Sequence, residues 1–304
     1  MSRAGMSAPR VSFGINRLVN EFCHLSVLSS DCLPPELADG MLGNKSYRQQ
    51  NAALRLDEVF HRLEKAPQIS PESWYSFTRA LMRTNSLEKA CAMRTTVAGI
   101  GEELVETLRK GPIGYEQIWD KTHRRLEEYR QRFEAAWNPI SENVLANLSD
   151  LAKRDWVQKD IQVHFVDCLW GGFAWMDCIA FTPLPDSEVQ KKFLAHELSE
   201  LITPHSIVER ELASSGLSRG ITHTVVDMIA YFSVREFMVK PVPPSLERRG
   251  IRPNPDYYPK AEELYPFFEQ YAEDPDSYSG FDALVHEMVA RLKSRPEGQM
   301  AQTA

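Results

Sequence analysis

The sequence has few cysteines, no long apolar run and no excess of positive charge. Its five cysteines, at positions 23, 32, 91, 168 and 178, form no C-x-x-C pair, so neither a disulfide framework nor a thiolate zinc site is indicated. No apolar stretch approaches the roughly 20 residues that a membrane helix needs. The N-terminus also lacks the apolar segment of a signal peptide. We therefore expect reduced thiols, no membrane partner and a soluble, cytoplasmic protein.

The charge distribution argues against a nucleic-acid partner. The formal net charge is -7, and both signs alternate along stretches such as residues 124–130, whereas a nucleic-acid binder needs a concentrated basic surface. With 304 residues, 43% hydrophobic and 25% charged, the chain has the composition of an ordinary globular protein. It is long enough for one large domain or two smaller ones.

Hydrophobic spacing predicts a mostly helical chain with a small β-rich region. Residues 46–155 follow a helical pattern, whereas Ile161, Val163 and Phe165 alternate with polar residues, as in a strand. A second β-rich run follows from Phe173 to Phe181. Residues 1–15 and 294–304 are small, polar and aperiodic, which is typical of frayed tails.

The residues after 181 predict two helices and a connector. Ser187 and Gln190 fit a capping box that starts a helix near residue 188, and Pro204 ends that helix near Ile202. Five prolines in 241–258 indicate an extended connector, followed by helices at about 259–273 and 279–293. We predict an α+β, predominantly helical fold with a helical N-terminal region at 16–139, a core at 140–240 and a C-terminal region at 241–293.

The chemically most distinctive residues lie on the first of these helices. His196 and Glu200 are four residues apart, so on a helix they share a face and can hold one ion together, with Glu197 beside them. A second pair, His223 and Asp227, has the same spacing in the next predicted helix. Both pairs lie in apolar runs, where an isolated ionisable group costs several kcal/mol to bury, so pairing or metal ligation is expected.

These residues resemble the zincin metallopeptidases, in particular the gluzincin branch. That branch carries His-Glu-x-x-His on one helix, where the two histidines bind zinc and the glutamate is the general base. A third ligand, usually glutamate, comes from a second helix. An aspartate four residues after that ligand commonly orients the first histidine. The resemblance implies a zincin-like core in which a small sheet lies beside the active-site helix.

The match is made residue by residue, and two positions depart from the family pattern. His196 corresponds to the first ligand and Glu197 to the base, whereas Glu200 replaces the second histidine. His223 follows at about the spacing of the third ligand, and Asp227 falls where the orienting carboxylate would be. The set His196, Glu200 and His223 therefore keeps two imidazoles and one carboxylate, with two positions exchanged.

Three further residues are alternates for the site. His205 is a rival third ligand in the predicted loop after the first helix, although a solvated histidine is the simpler interpretation. Tyr231 and Arg235 follow His223 on the same predicted helix, and either could donate to an oxyanion, although packing and ion pairing are the commoner roles. The His196 group could also be an exposed polar helix face, and His223–Asp227 a buried pair without metal.

The resemblance implies a metal-dependent hydrolase that acts on a peptide or small amide substrate through a metal-activated water, with zinc as the cofactor. Two alternatives stay open. Two histidines and one carboxylate also suit Fe(II) in oxygen-activating enzymes, so a non-heme iron oxidoreductase is the second hypothesis. The third is a non-catalytic zincin-like scaffold that has lost its metal.

Overall fold

The structure is a computed structural model. It describes residues 8–28, 69–93, 100–111, 115–167, 169, 172–214, 220–236 and 261–294. The chain divides into two compact units. The sheet unit contains Pro9–Pro139 and Asp160–Gln190, and the helical unit contains Ile140–Lys159 and the described residues from Lys191 onward. The predicted connector at 241–258 lies outside the described residues.

The sheet unit contains one small mixed sheet of four strands in the order β1-β2-β4-β3. Strand β1 is parallel to β2, β2 is parallel to β4, and the β3–β4 pair is antiparallel. The strands are β1 (Arg10–Gly14), β2 (Asp160–Phe165), β3 (Gly172–Trp175) and β4 (Cys178–Phe181).

Strand β1 corrects the sequence prediction that residues 1–15 are a frayed tail. Arg10 pairs with Asp160, and the register continues to Gly14 opposite His164. The ladder is formed with a partner far away in the sequence, and the alternation of Val11 and Phe13 with polar residues is too short to predict a strand without that partner.

Helices of this unit pack against the sheet, and aromatic side chains are buried on one of its faces. Phe165 in β2 lies 5.1 Å from Phe181 in β4 and 6.0 Å from Phe13 in β1, measured between ring centroids. Phe133, from a long helix, packs edge-on against Phe165. The helices of this unit are α1 (Arg17–Leu28), α2 (Pro71–Thr84), α3 (Leu87–Ala92), α4 (Glu102–Lys110) and α5 (Tyr115–Trp137).

The predicted β-rich run at 173–181 is a hairpin. Its two-residue turn, Met176–Asp177, joins Trp175 to its partner Cys178. Met176 has φ +59, a backbone conformation that residues other than glycine rarely adopt. Asp177 accepts two hydrogen bonds from Arg79, at 2.5 and 3.0 Å, which attach the turn to helix α2.

The regular elements of the helical unit in the described part of the chain are helices. They are α6 (Ser141–Ala152), α7 (Ser187–Ile202, continuing from the sheet unit), α8 (His205–Ala213), α9 (Gly220–Glu236), α10 (Ala261–Glu273) and α11 (Phe281–Ser294). The last two confirm the predicted C-terminal helices. A mostly helical fold with a small mixed sheet confirms the α+β class, whereas the zincin-like core stays a prediction.

A close backbone approach links α6 to the start of α11. Gly280 has φ +133, and a Cβ there would lie 2.5 Å from the carbonyl oxygen of Ala152. Arg154, just after α6, donates to Asp282 at 2.8 Å. Glycine is therefore required at this junction for both its conformation and its lack of a side chain.

Helix α7 ends as predicted but is capped differently. It ends at Ile202, two residues before Pro204. At its start, Oδ1 of Asp186 accepts from the backbone N–H of Glu188 at 2.8 Å. The predicted capping box is wrong, because Gln190 turns away and its Oε1 accepts from the Tyr129 hydroxyl at 2.8 Å.

Candidate metal centre

Helix α7 brings His196 and Glu200 together because they are one turn apart. Nε2 of His196 lies 3.0 Å from Oε1 of Glu200. The other face of the helix is apolar, and Leu194 and Leu198 are fully buried there. Both polar side chains keep some exposure, 26% for His196 and 16% for Glu200, so the pair is partly shielded from water yet accessible.

Helix α9 contributes the third member of the group. Potential ligand atoms of His196, Glu200 and Asp227 all lie within 4.8 Å of one another. Asp227 sits in an apolar stretch of α9, where Val226 and Met228 on either side of it are buried. One imidazole and two carboxylates at this separation could hold a divalent metal ion.

Glu197 is a buried carboxyl group beside this cluster. Only 2% of the residue is exposed, and Oε2 has no hydrogen-bond partner among the described residues. Burial, and then the negative charges of Glu200 and Asp227, raise its pKa well above the ordinary value. An unpartnered buried carboxyl group costs about 1–3 kcal/mol or more, so its retention fits a site whose positive charge is supplied from outside the chain.

The same two carboxylates also raise the basicity of the His196 imidazole. Burial disfavours the imidazolium form of His196, but the hydrogen bond to Glu200 and the charges of Glu200 and Asp227 outweigh it, so its pKa is raised. The concentration of negative charge therefore favours a cation at this point, either a proton on His196 or a metal ion.

Two neighbours of His196 were not singled out from the sequence. The Phe193 ring is nearly parallel to the imidazole, with the centroids 6.2 Å apart and an interplanar angle of 18°. The buried Ser199 hydroxyl donates to the backbone carbonyl of His196 at 2.7 Å. Helical spacing could have suggested both contacts, since Phe193 and Ser199 lie three residues from His196 on either side.

Of the remaining predicted residues, three are placed by their backbone alone and one by its side chain as well. The backbone places His223, Tyr231 and Arg235 in α9, but their side chains lie outside the described residues. His205 is the first residue of α8 rather than part of a loop. Its ring Nε2 lies 2.9 Å from the carbonyl oxygen of Glu200 at the end of α7.

Asp227 lies closer to the possible metal position than the sequence prediction implied. The resemblance gave it the role of orienting His196, whereas its position within the three-residue group makes it a possible ligand. His223 lies four residues earlier in α9, and residues at this spacing share one face of a helix. A fourth ligand from the same helix is therefore compatible with the backbone.

Comparisons with known proteins give no family assignment. No family model, curated protein or solved structure matches this chain. None of the described helices is long and apolar enough to cross a membrane.

Proposed function

We propose that this chain is a metal-dependent hydrolase that acts on a peptide or small amide bond. The observation that carries the proposal is the group formed by His196, Glu200 and Asp227, with the buried Glu197 next to it. A metal-binding group beside a carboxyl group with a raised pKa is one arrangement that can hydrolyse an unreactive bond.

The donor atoms suit a divalent first-row metal ion. His196, Glu200 and Asp227 would hold it, and the imidazole nitrogen favours zinc or iron over calcium or magnesium. The bound ion would supply a polarised scissile carbonyl and a water of lowered pKa. We propose zinc as the metal because the His196-Glu197 pair resembles the gluzincin helix.

Glu197 would act as the general base and then as the general acid in this reaction. Burial and two neighbouring carboxylates make its carboxyl group hold a proton more readily than an exposed glutamate does. Such a group can accept a proton from water and deliver it to the leaving amine. His196, Glu200 and Asp227 would hold the ion beside this carboxyl group.

The iron alternative depends on His223. The described group has one imidazole and two carboxylates, whereas the facial triad of oxygen-activating iron enzymes has two imidazoles and one carboxylate. The non-catalytic scaffold has the opposite requirement, because it needs no metal at all. These hypotheses therefore differ in the metal that the purified protein retains.

The test is a metal analysis combined with one matched pair of variants. Protein purified without chelator is expected to contain about one equivalent of zinc and to cleave members of a fluorogenic peptide and amide library. Glu197→Gln should keep the metal and lose cleavage, because it removes the base and leaves the three ligands. Glu209→Gln, at an exposed position on α8, is the control and should keep both.

The outcomes separate the hypotheses. Iron in place of zinc would favour the oxidoreductase, and loss of metal from Glu197→Gln would make Glu197 a ligand rather than the base. Protein that neither retains zinc, iron or another first-row ion nor binds one on addition would disprove the enzyme proposal and favour a scaffold.

A further inference from the structure

A second polar cluster lies in the sheet unit, among residues that the proposed hydrolase does not use. Gln162 and His164 point to the same side of β2, because they are two residues apart in a strand. Only 8% of His164 is exposed, and its Nδ1 is buried without a hydrogen-bond partner among the described residues. Oε1 of Gln162 is likewise buried and unpartnered.

Arg83, near the end of α2, reaches the same part of the sheet. Its Nη2 donates to the backbone carbonyl of Asp160 at 3.1 Å and lies 2.5 Å from Oδ2 of Asp177. Its Nε–H, however, is buried and has no acceptor among the described side chains and backbone. An arginine donor without an acceptor in a buried place is costly, and each such group in a folded protein calls for an explanation.

The local charge is positive. Arg79 and Arg83 share the single carboxylate of Asp177, and the nearby carboxylate of Asp160 pairs with Arg10 at 3.0 Å. Burial, and then the charge of Arg83, lower the pKa of His164 to about 4, so at neutral pH its ring is uncharged and can offer one N–H. Among the described residues, one guanidinium charge thus has no carboxylate of its own.

Glycine leaves room for the His164 ring, and the charged side chains of the cluster are partly exposed. Gly14 lies opposite His164 in the parallel ladder, and a Cβ at Gly14 would meet the ring at 3.4 Å, so the imidazole lies directly over that glycine. The side chains of Arg79, Arg83 and Asp177 are 24%, 26% and 21% exposed. The guanidinium group of Arg83 is therefore partly exposed, whereas its Nε–H is buried.

We propose that Arg83, His164 and Gln162 form a binding site for a small oxyanion, either a carboxylate or a phosphate group. The Nε–H of Arg83 and the ring N–H of His164 would donate to its oxygens, and the excess guanidinium charge would compensate its charge. Gln162 would contact the ligand through whichever amide atom faces it, since the two can exchange by rotation. Ordered water is the competing occupant, because water also satisfies buried polar groups.

The test titrates the full-length protein with acetate and, separately, with inorganic phosphate at constant ionic strength. Binding is followed by calorimetry and by the NMR signals of the His164 ring, which His164→Gln identifies. We expect a dissociation constant of about 1 mM or tighter for one of the two anions, with a shift of the His164 signals. Saturable acetate binding would indicate a carboxylate ligand, and saturable phosphate binding without acetate binding would indicate a phosphate-bearing one.

Two variants decide whether the site is the one described. Arg83→Gln is expected to weaken binding by about tenfold or more, since it removes a charged donor. Arg109→Gln removes the same charge at an exposed position of α4 in the same unit and should change the affinity less than about twofold. If Arg83→Gln does not fold, the anion-dependent shift of His164 in the wild-type protein remains the deciding measurement.

Absence of binding by either anion, or binding with no shift of His164 and equal affinity in Arg83→Gln, would overturn the proposal and leave water as the occupant. Metal content is measured on the same samples. The metal ligands belong to the helical unit, so failure of the hydrolase proposal and failure of the anion site give separate results.

Discussion

Nε2 of His196 lies 3.0 Å from Oε1 of Glu200, and Asp227 brings a second carboxylate to the same pair from another helix. Two carboxylates facing one imidazole favour a cation between them. In the metal-free chain these carboxylates favour a proton on His196, since they raise the pKa of its imidazole. A divalent ion would replace this proton, so metal binding should release protons and stabilise the fold.

The role of Asp227 can be separated from that of an orienting carboxylate. If Asp227 is a ligand, Asp227→Asn should weaken metal binding by more than about a hundredfold, whereas loss of an orienting partner typically costs about 10–100-fold. Competition titration against a chelator gives the affinity, and the visible spectrum of the cobalt(II) protein reports a changed ligand set. Asp150→Asn, at an exposed position of α6, is the control. An unchanged cobalt spectrum in Asp227→Asn would assign Asp227 to the orienting role.

Glu197→Gln should stabilise the metal-free protein at neutral pH. The folded-state pKa of Glu197 lies well above its ordinary value of 4.5, so the folded state binds this proton more tightly than the unfolded state does. The contribution of Glu197 to the stability of the fold is therefore greatest below pH 4.5, and it is lost as the pH rises through the folded-state pKa. Removing the buried carboxyl group should raise the free energy of unfolding by about 1–3 kcal/mol at neutral pH. It should also reduce the decrease in stability that accompanies rising pH. Urea unfolding of metal-free wild type, Glu197→Gln and Glu209→Gln at several pH values checks it. A variant less stable than wild type at neutral pH would contradict the prediction.

Much of the helical pattern and half of the site could be predicted from the sequence, because both depend on local spacing. The four-residue separation of His196 and Glu200 is enough to place them on one helix face, and Pro204 is enough to end that helix. The distance between α7 and α9 is set by tertiary packing instead. Spacing alone therefore did not indicate that Asp227 would lie within ligand distance of His196.

The elements that were missed depend on contacts across the sequence. Strand β1 forms because β2 offers a parallel partner, and the alternation within its five residues is too short to identify a strand by itself. Likewise, Gln190 does not cap α7, because the Tyr129 hydroxyl and the backbone N–H of Leu184 both donate to its side chain. Each competing partner lies outside the local window that a capping pattern considers.

His24→Phe should remove part of the acid sensitivity of the sheet unit. Only 1% of His24 is exposed, and burial lowers its pKa to about 4. The unfolded chain binds this proton more tightly, so the stabilisation is complete above pH 6.5 and is lost as the pH falls through 4. The loss should approach about 3 kcal/mol. Unfolding at pH 7 and pH 4.5 compares wild type, His24→Phe and the exposed control His123→Phe. Equal pH dependence in all three would show that His24 does not titrate as inferred.

Met176→Gly should stabilise the β3–β4 hairpin. In a two-residue hairpin turn with positive φ only at the first position, glycine avoids the strain that a side chain causes. The expected gain is about 1 kcal/mol, less the greater freedom of glycine in the unfolded chain. Met176→Ala keeps Cβ and also removes the exposed thioether, so it should give no such gain. Thermal unfolding of both variants tests the assignment, and equal stabilisation by glycine and alanine would point to the thioether rather than to the backbone.

Exchanging Glu200 and His223 tests whether both residues bind the same ion. Glu200→His would place a second imidazole on α7, as in the gluzincin pattern, and His223→Glu would place the carboxylate on α9. If both residues contact one ion, the double variant should hold zinc more tightly than either single variant, with a coupling of about 0.5–3 kcal/mol. Zinc affinity of the four proteins, measured by chelator competition, gives the coupling directly. Glu209→His serves as the control for adding a histidine at a surface position of the same unit. Additive effects of the two single variants on zinc affinity would mean that His223 does not bind the ion. The ligand set would then be His196, Glu200 and Asp227, with one imidazole rather than two.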